Sequence, residues 1–313
     1  MLNVVRPVRR MFCAGPLLLC LCFPVACNTA SGAKAVATQL AATATSLAGY
    51  YGALHTELVN TDQLNTLEQG LSGVPYDAAT RASILDTAAE IQKRADLANE
   101  ISTLAATLTT LAGSTGAADA STAAGKVAAA AASIKPLSAT LTSPVQAGIA
   151  AAAQEIAGAV LAHKMREAAA KLASLLDNLN KLYTAEEDVC TSVNTQYVSV
   201  SGDLSGALVA GGQTDAAAYT ATMAKLALAP YGLTAKIDAA TQARIAATAP
   251  LILQQKRADL KASQLVAGKA MEDALTDIAA RAADLAAGKP LPGGVPTPSL
   301  TTVNQWAATL ATK

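Results

Sequence analysis

The sequence predicts an all-α protein, an elongated antiparallel bundle built from long, alanine-rich helical hairpins. Alanine dominates the 52% hydrophobic content, and it combines the highest helix propensity with little buried area. Larger apolar residues recur at alternating steps of three and four over stretches much longer than an ordinary globular helix. Both phenylalanines lie within the first 23 residues, and the chain has a single tryptophan. This composition favours closely approaching helices over a thick globular core.

Residues 1–26 have the features of an export signal. Arg6, Arg9 and Arg10 form a positive segment, and Pro16–Val25 is a short apolar stretch that ends next to a small residue. About ten apolar residues are too few to cross a bilayer of about 30 Å as a helix. We therefore expect a signal peptide that is removed by cleavage.

The run Val25-Ala26-Cys27 resembles the C-terminal half of the bacterial lipoprotein signal motif. In that family the residue after the cleavage site is a cysteine that receives a lipid, so the resemblance implies lipidation at Cys27. Pro24 departs from the leucine that the family prefers, which leaves open an ordinary signal peptide cut near Ala26 or Ala30. Asn28 follows the cysteine where inner-membrane members of the family have aspartate. The resemblance thus implies a lipid-anchored protein of the cell envelope, at the outer membrane and facing the periplasm or the cell surface.

The first half of the mature chain predicts three helices after a short lipidated linker at residues 27–32. The apolar pattern predicts helices at about 33–71 and 77–112. A Gly-Val-Pro turn separates them, and an aspartate at the start of the second can cap it. Their similar lengths predict an antiparallel hairpin. A third, alanine-rich helix is expected at about 118–134, where Lys-Pro ends it.

The second half predicts one larger hairpin, which completes a bundle over residues 33–287. Ser143-Pro144 is a strong helix start, and the apolar pattern then keeps helical phase over 143–209. After a Gly-Gly turn it resumes over 213–287, with kinks near Pro230 and Pro250 because an interior proline removes a hydrogen bond. The proline-rich stretch 288–298 predicts a linker, and a short C-terminal helix at 299–313 carries Trp306.

The search for chemistry in the sequence yields no catalytic, cofactor-binding or metal-binding residues. His55 and His163 are the two histidines, and His163 with Glu167 is expected to form a surface pair. The acidic run Glu186-Glu187-Asp188 is interpreted as a solvated helix face. Cys190, the one cysteine left after the signal and Cys27, is interpreted as a buried small hydrophobe. We predict that the protein is not an enzyme.

Small-residue pairs suggest helices that approach each other closely. Gly148 with Ala152, Gly158 with Ala162, and Gly202 with Gly206 have the required spacing of four. Outside the signal, charged residues interrupt every apolar run long enough to span a bilayer. We interpret these pairs as contacts within the bundle.

Charge and composition limit the possible partners. Removing the three arginines of the signal leaves 20 basic and 23 acidic residues, well mixed along the chain. Such a balance excludes nucleic acid as a partner, and no small-molecule substrate is evident. The hypothesis is a structural or protein-interaction module that reaches the membrane through its N-terminal lipid and binds a protein partner or itself. The alternative is a membrane-active, pore-forming-like protein that inserts its relatively apolar segment 197–231.

Overall fold

The computed structural model describes residues 23–110, 116–137, 143–162, 164–210, 225, 228–233, 238–289, 291 and 300–311. Within these residues the chain is helical without a strand, which confirms the predicted all-α class. The helices are α1 (Phe23–Ser72), α2 (Ala78–Thr110), α3 (Gly116–Ser133), α4 (Ser143–Leu161), α5 (Met165–Ala185), α6 (Glu187–Ala210), α7 (Ala239–Ala286) and α8 (Thr301–Ala311).

The hairpin of α1 and α2 is the most extensive packing interface of the bundle. Its antiparallel register follows from the hydrogen bond between Thr45 and Ser102, at 2.9 Å, and the ion pair between Asp62 and Arg81, at 3.3 Å. At the turn, Gly73 adopts a φ of 70°, which a residue without a Cβ adopts at little cost. α1 begins at Phe23, so residues 27–32, which we expected to form a linker, have helical backbone. Adding residues to an existing helix costs far less than nucleating one.

Asp77 begins α2 as the sequence suggests. Its Oδ2 accepts hydrogen bonds from the Thr80 backbone N–H, at 2.8 Å, and from the Thr80 hydroxyl, at 2.6 Å. These bonds satisfy an N–H that the helix itself leaves unpaired, and they hold the pKa of the Asp77 carboxyl below its usual value.

The predicted continuous helix 143–209 is divided into three. α4 ends at Leu161 and α5 begins at Met165, and the chain reverses between them, so that Lys171 of α5 pairs with Glu155 of α4 at 2.8 Å. Neither glycine nor proline stands at this reversal, and the Lys164 N–H closes α4 by donating to the Ala159 carbonyl at 2.8 Å. The physical reason is packing: a straight rod would leave the apolar face of α4 uncovered, whereas the reversal buries it against α3 and α5.

A second interruption separates α5 from α6 at Glu186. Both helices pack along α7, which runs antiparallel to them. Tyr183 donates a hydrogen bond to the Gly268 carbonyl at 2.9 Å, and Arg257 lies 3.3 Å from Asp203. The predicted antiparallel pairing of the second hairpin is therefore present, with α5 and α6 together forming its first arm.

The two prolines of the second hairpin differ in their surroundings. Pro230 lies in a short 3-10 turn, Ala229–Tyr231, that Gly232 closes with a φ of 64°. Pro250 lies inside α7, which extends across it. The predicted turn at Gly211-Gly212 and residues 290 and 292–298 of the predicted linker lie outside the described residues.

The C-terminal helix α8 packs on α1 and α7. Val303, Trp306 and Leu310 are its buried residues inside the helix, at positions that share one face. Trp306 is thus docked on the bundle.

Candidate functional site

Cys27, the predicted lipidation residue, has its backbone within the N-terminal part of α1. From Cys27 the helix continues for 44 residues to Leu71, which corresponds to about 65 Å at 1.5 Å per residue. α1 therefore places this cysteine and the α1–α2 turn at opposite ends of the hairpin. We call the end that holds the α1–α2 turn the distal end.

The acidic run 186–188 is not wholly a solvated face, which corrects our interpretation. Glu187 and Asp188 are exposed, but Glu186 is fully buried and pairs with the buried Arg94 of α2. Arg94 Nε donates to Glu186 Oε2 at 2.5 Å, and its Nη2 donates to the other carboxylate oxygen. This bidentate geometry is the strongest form of arginine–carboxylate pairing. The sequence shows no signal for it because 92 residues separate the partners.

Further hydrogen bonds complete the surroundings of Arg94. Its Nη1 donates to the Glu90 carbonyl at 2.7 Å, and its Nη2 donates to the Lys135 carbonyl at 2.8 Å. The Glu90 carboxylate accepts from the Lys135 backbone N–H at 2.8 Å. The pair therefore joins α2, the end of α3 and the α5–α6 junction. Since its donors are used within the protein, we interpret this cluster as structural.

A second buried polar contact joins α1 to α6. Asn194 donates to Glu57 Oε1 at 2.7 Å, and both side chains are about 1% exposed. Buried polar groups are costly unless they are paired, so this contact favours one register of α6 on α1 over others.

An aromatic cluster lies where α1, α5, α7 and α8 meet. The ring centroid of Tyr50 lies 5.0 Å from that of Trp306, 5.8 Å from that of Tyr183 and 5.9 Å from that of Tyr51. The Tyr50 hydroxyl accepts a hydrogen bond from Gln264 Nε2 at 2.9 Å. Burial raises the pKa of all three tyrosines well above the usual value, so their hydroxyls stay protonated. The cluster packs the helices together, and it offers no anionic group for chemistry.

Cys190 is buried, as predicted, and its environment makes the thiol unreactive. Burial, followed by the charge of Glu186, raises its pKa far above the usual value. We expect thiol reagents to modify Cys190 only after denaturation, whereas a cysteine introduced by Thr184→Cys on the exposed face of α5 reacts in the native protein. Mass spectrometry of alkylated peptides measures both. Equal native rates at the two positions would contradict the burial of Cys190.

The remaining predicted residues lie on separate surfaces. His55 is partly exposed on α1, and His163 lies outside the described residues. Glu167 pairs with Lys164 at 3.1 Å. The pairs Asp177–Lys181, at 2.6 Å, and Asp277–Arg281, at 2.8 Å, have the spacing that the sequence suggested. Across the described part of the chain, no group of three or more potential ligands surrounds a metal position.

Only some of the small-residue positions mark close approaches. A Cβ on Gly148 would lie 2.8 Å from the Asn178 side chain of α5, and one on Gly202 would overlap the Arg257 side chain of α7. Gly158 and Gly206 have open space at the corresponding position. The absence of a side chain therefore matters at Gly148 and Gly202.

Polar side chains line a groove of about 760 Å³ at the distal half of the bundle. α1 forms its floor through Leu58 and Thr61, which are buried. α2 and α6 form its walls with residues that are mostly small, and many carry hydroxyl groups. The wall residues are Asp77, Ala79, Thr80, Ser83, Ile84, Thr87, Val189, Ser192, Val193, Gln196, Ser199 and Val200. This groove, which sequence reasoning missed, is a candidate binding surface.

Half of the ten exposed large apolar residues in the described part of the chain lie towards the same end. Among the described residues, five of them lie on the α1–α2 turn, its flanking helices and the N-terminal part of α7. They are Leu67, Leu71, Val74, Leu85 and Leu251, each at least 40% exposed. Exposed apolar residues that are grouped, rather than scattered, are typical of an interaction surface.

The structure describes only part of the segment 197–231, on which the membrane-active alternative depends. Tyr197, Val198 and Leu204 are buried in the bundle, whereas Tyr231 is 75% exposed. Residues 211–224 lie outside the described residues. Of the helices in the described portion, none is long and apolar enough to cross a membrane.

The fold and its surfaces thus define an elongated all-α bundle with a polar groove and an apolar distal end. Comparisons with known protein families, with curated proteins and with solved structures found no match to this chain.

Proposed function

We propose that this chain is an exported helical lipoprotein that is anchored in the cell envelope through Cys27 and acts as a structural or protein-interaction module. The observation that carries this proposal is the polarity of the molecule. Cys27 lies towards one end of α1, and half of the exposed large apolar residues of the described chain lie towards the other, about 65 Å away. A lipid at Cys27 would place the distal end far from the membrane, where a protein partner can reach it.

The surroundings of the buried titratable groups support a role without catalysis. The buried charges of Arg94 and Glu186 neutralise each other, and the Cys190 thiol is kept protonated. Catalytic groups, in contrast, are placed in clefts with pKa values close to the working pH. The outer membrane is the proposed location, on the basis of the resemblance at Asn28.

Cys27→Ser tests the anchor. We expect this variant to leave the membrane fraction or to accumulate as a precursor, because the thiol that receives the lipid is absent. Fractionation and the mass of the N-terminal peptide measure the result, with Cys190→Ser as the matched control that should stay in membranes with an acylated N-terminus. The anchor would be refuted if Cys27→Ser were recovered in membranes like the wild type and the N-terminal peptides of both proteins lacked an acyl group.

Crosslinking in intact cells tests the interaction role. We expect membranes crosslinked before solubilisation to yield the chain joined to one defined protein or to further copies of itself. A variant with Leu71→Ser and Val74→Ser, two exposed positions, should lose a product formed with another protein at the distal end, without losing helix content. Recovery of uncrosslinked monomer alone would count against the proposal.

A further inference from the structure

The groove between α2 and α6 has the form of an incomplete helical bundle. Both helices pack on α1, and within the described residues they do not contact each other. The lining runs over residues 77–87 of α2 and 189–200 of α6, which is about 16 Å of each helix. A trough with three helices as floor and walls, and with small residues along the walls, accommodates a further helix at close distance.

Acidic residues outnumber basic ones along this groove, where Arg81 of α2 is paired with Asp62 at 3.3 Å. Asp77 belongs to its lining, Asp86 immediately precedes the lining residue Thr87, and Asp188 immediately precedes the lining residue Val189. Asp86 and Asp188 are exposed and take part in no ion pair within the described chain. A helix that carries positive charge on the side entering the groove would match the free carboxylates of Asp86 and Asp188.

The N-terminal part of α7 supplies a helix of that kind. From Leu251 to Ser263 every residue whose side chain is described is exposed or partly exposed, so this stretch is covered only in part by α6. We call it the α7 arm. Lys256 and Lys261 are exposed on it and form no ion pair among the described residues, while Arg257 is paired with Asp203. The arm has one carboxylate, that of Asp259, which accepts a hydrogen bond from Gln255 at 2.8 Å. The arm also carries Leu251, which is 67% exposed.

The groove and the α7 arm lie at similar heights along the bundle. Arg257 of the arm contacts Asp203, four residues beyond Ser199 of the groove wall, and α6 lies between the two surfaces. In two copies related by a two-fold axis parallel to the bundle, each α7 arm can therefore enter the groove of the other copy without a shift along that axis. This arrangement keeps both Cys27 residues on one side, as attachment to a single membrane requires.

We propose that the occupant of the groove is the α7 arm of a second copy, in a reciprocal two-fold dimer. The proposal rests on the interaction role proposed above and names this chain as its own partner. Reciprocal insertion makes the contact isologous and closed, and it uses two grooves instead of one. Because the contact occurs twice, the two copies together can bury the area of about 1,000 Å² that a specific interface needs.

Charge reversal in the full chain, purified from membranes in detergent, tests the dimer. The groove variant carries Asp86→Lys and Asp188→Lys, and the arm variant carries Lys256→Glu and Lys261→Glu. In a dimer of either variant with itself, both groove–arm contacts bring charges of the same sign together. We therefore expect the dissociation constant of that dimer to rise by about 100-fold or more. Sedimentation velocity over a concentration series measures this change.

Mixing the two variants provides the decisive observation. In the mixed dimer the reversed groove meets the reversed arm, and the unchanged groove meets the unchanged arm, so both contacts regain opposite charges. Two epitope tags, one on each variant, should therefore co-purify, and neither variant should co-purify with a differently tagged copy of itself. Glu167→Lys with Asp177→Lys on α5 makes the same change in net charge at exposed positions away from the groove, and it should leave the wild-type dimer intact.

Three results would overturn the proposal: a monomeric wild type at every concentration, a mixture that fails to reassociate, or dimers that persist in the single-type variants. Another protein recovered in the groove would also overturn it while leaving the interaction role in place. Acylation of Cys27 is measured separately on the same preparations. Failure of the dimer and failure of the lipid anchor are therefore distinguishable.

Discussion

Replacing Arg94 by methionine is expected to lower the free energy of unfolding by about 3–5 kcal/mol, because it leaves the Glu186 carboxylate buried without its partner. The loss also removes the donors that bind the Glu90 and Lys135 carbonyls. Urea denaturation with linear extrapolation measures the change, at constant m-value.

Lys181→Met is the matched control for this prediction. Lys181 pairs with Asp177 at 2.6 Å, but both side chains are more than half exposed. Exposed pairs contribute about 0–1 kcal/mol, so the control should be almost neutral. Equal effects of the two substitutions would show that burial does not govern the strength of the Arg94–Glu186 pair.

A double replacement, Arg94→Met with Glu186→Leu, separates the pair from its surroundings. Removing both charges should restore part of the stability that Arg94→Met loses, because a buried pair is costly to break but often neutral to replace. Recovery will be incomplete, since the Lys135 carbonyl lacks its donor in both variants. A double variant less stable than Arg94→Met would contradict this account.

Tyr50→Ala is expected to be the second severely destabilising substitution, with a loss of about 3–5 kcal/mol. Tyr50 is 1% exposed, and its ring contacts three other aromatic rings across α1, α5 and α8. Truncation leaves a cavity where four helices meet, and it removes the acceptor of the Gln264 amide. Thermal and urea denaturation, followed by circular dichroism, measure the loss.

Tyr50→Phe separates packing from hydrogen bonding. The ring stays, and only the hydroxyl that accepts from Gln264 is lost, so we expect a smaller cost of about 1–3 kcal/mol. Trp306 fluorescence should change in Tyr50→Ala more than in Tyr50→Phe, because the ring centroid 5.0 Å away is removed. A cost in Tyr50→Phe equal to that in Tyr50→Ala would assign the effect to the hydroxyl alone.

The helical class and the first hairpin could be predicted because their signals are local. Asp77 caps α2 through its own neighbour Thr80, and the apolar repeat of α1 and α2 faces one side of each helix. Helix propensity, capping and periodicity all act within a few residues, so the sequence displays them directly. The export signal and Cys27 are equally local, and their function stays a prediction.

The candidate groove could not be predicted in the same way. Its lining comes from residues 58–65, 77–87 and 189–200, which are distant in sequence and contain only common small and polar residues. None of these segments carries a motif, and serine or threonine on a helix most often faces water. The groove exists because α2 and α6 both pack on α1 without contacting each other.

By itself, then, the sequence determined that this protein is a set of long helices with a turn at Gly73, and it predicts an export signal at the N-terminus. Tertiary structure alone decided that the pattern 143–209 reverses between α4 and α5 and is interrupted at Glu186. Local propensity permits a straight rod there, with no glycine or proline to prevent it. The burial of α4 against α3 and α5, and of Glu186 against Arg94, makes the folded path more stable than the rod, and these contacts arise only when distant segments meet.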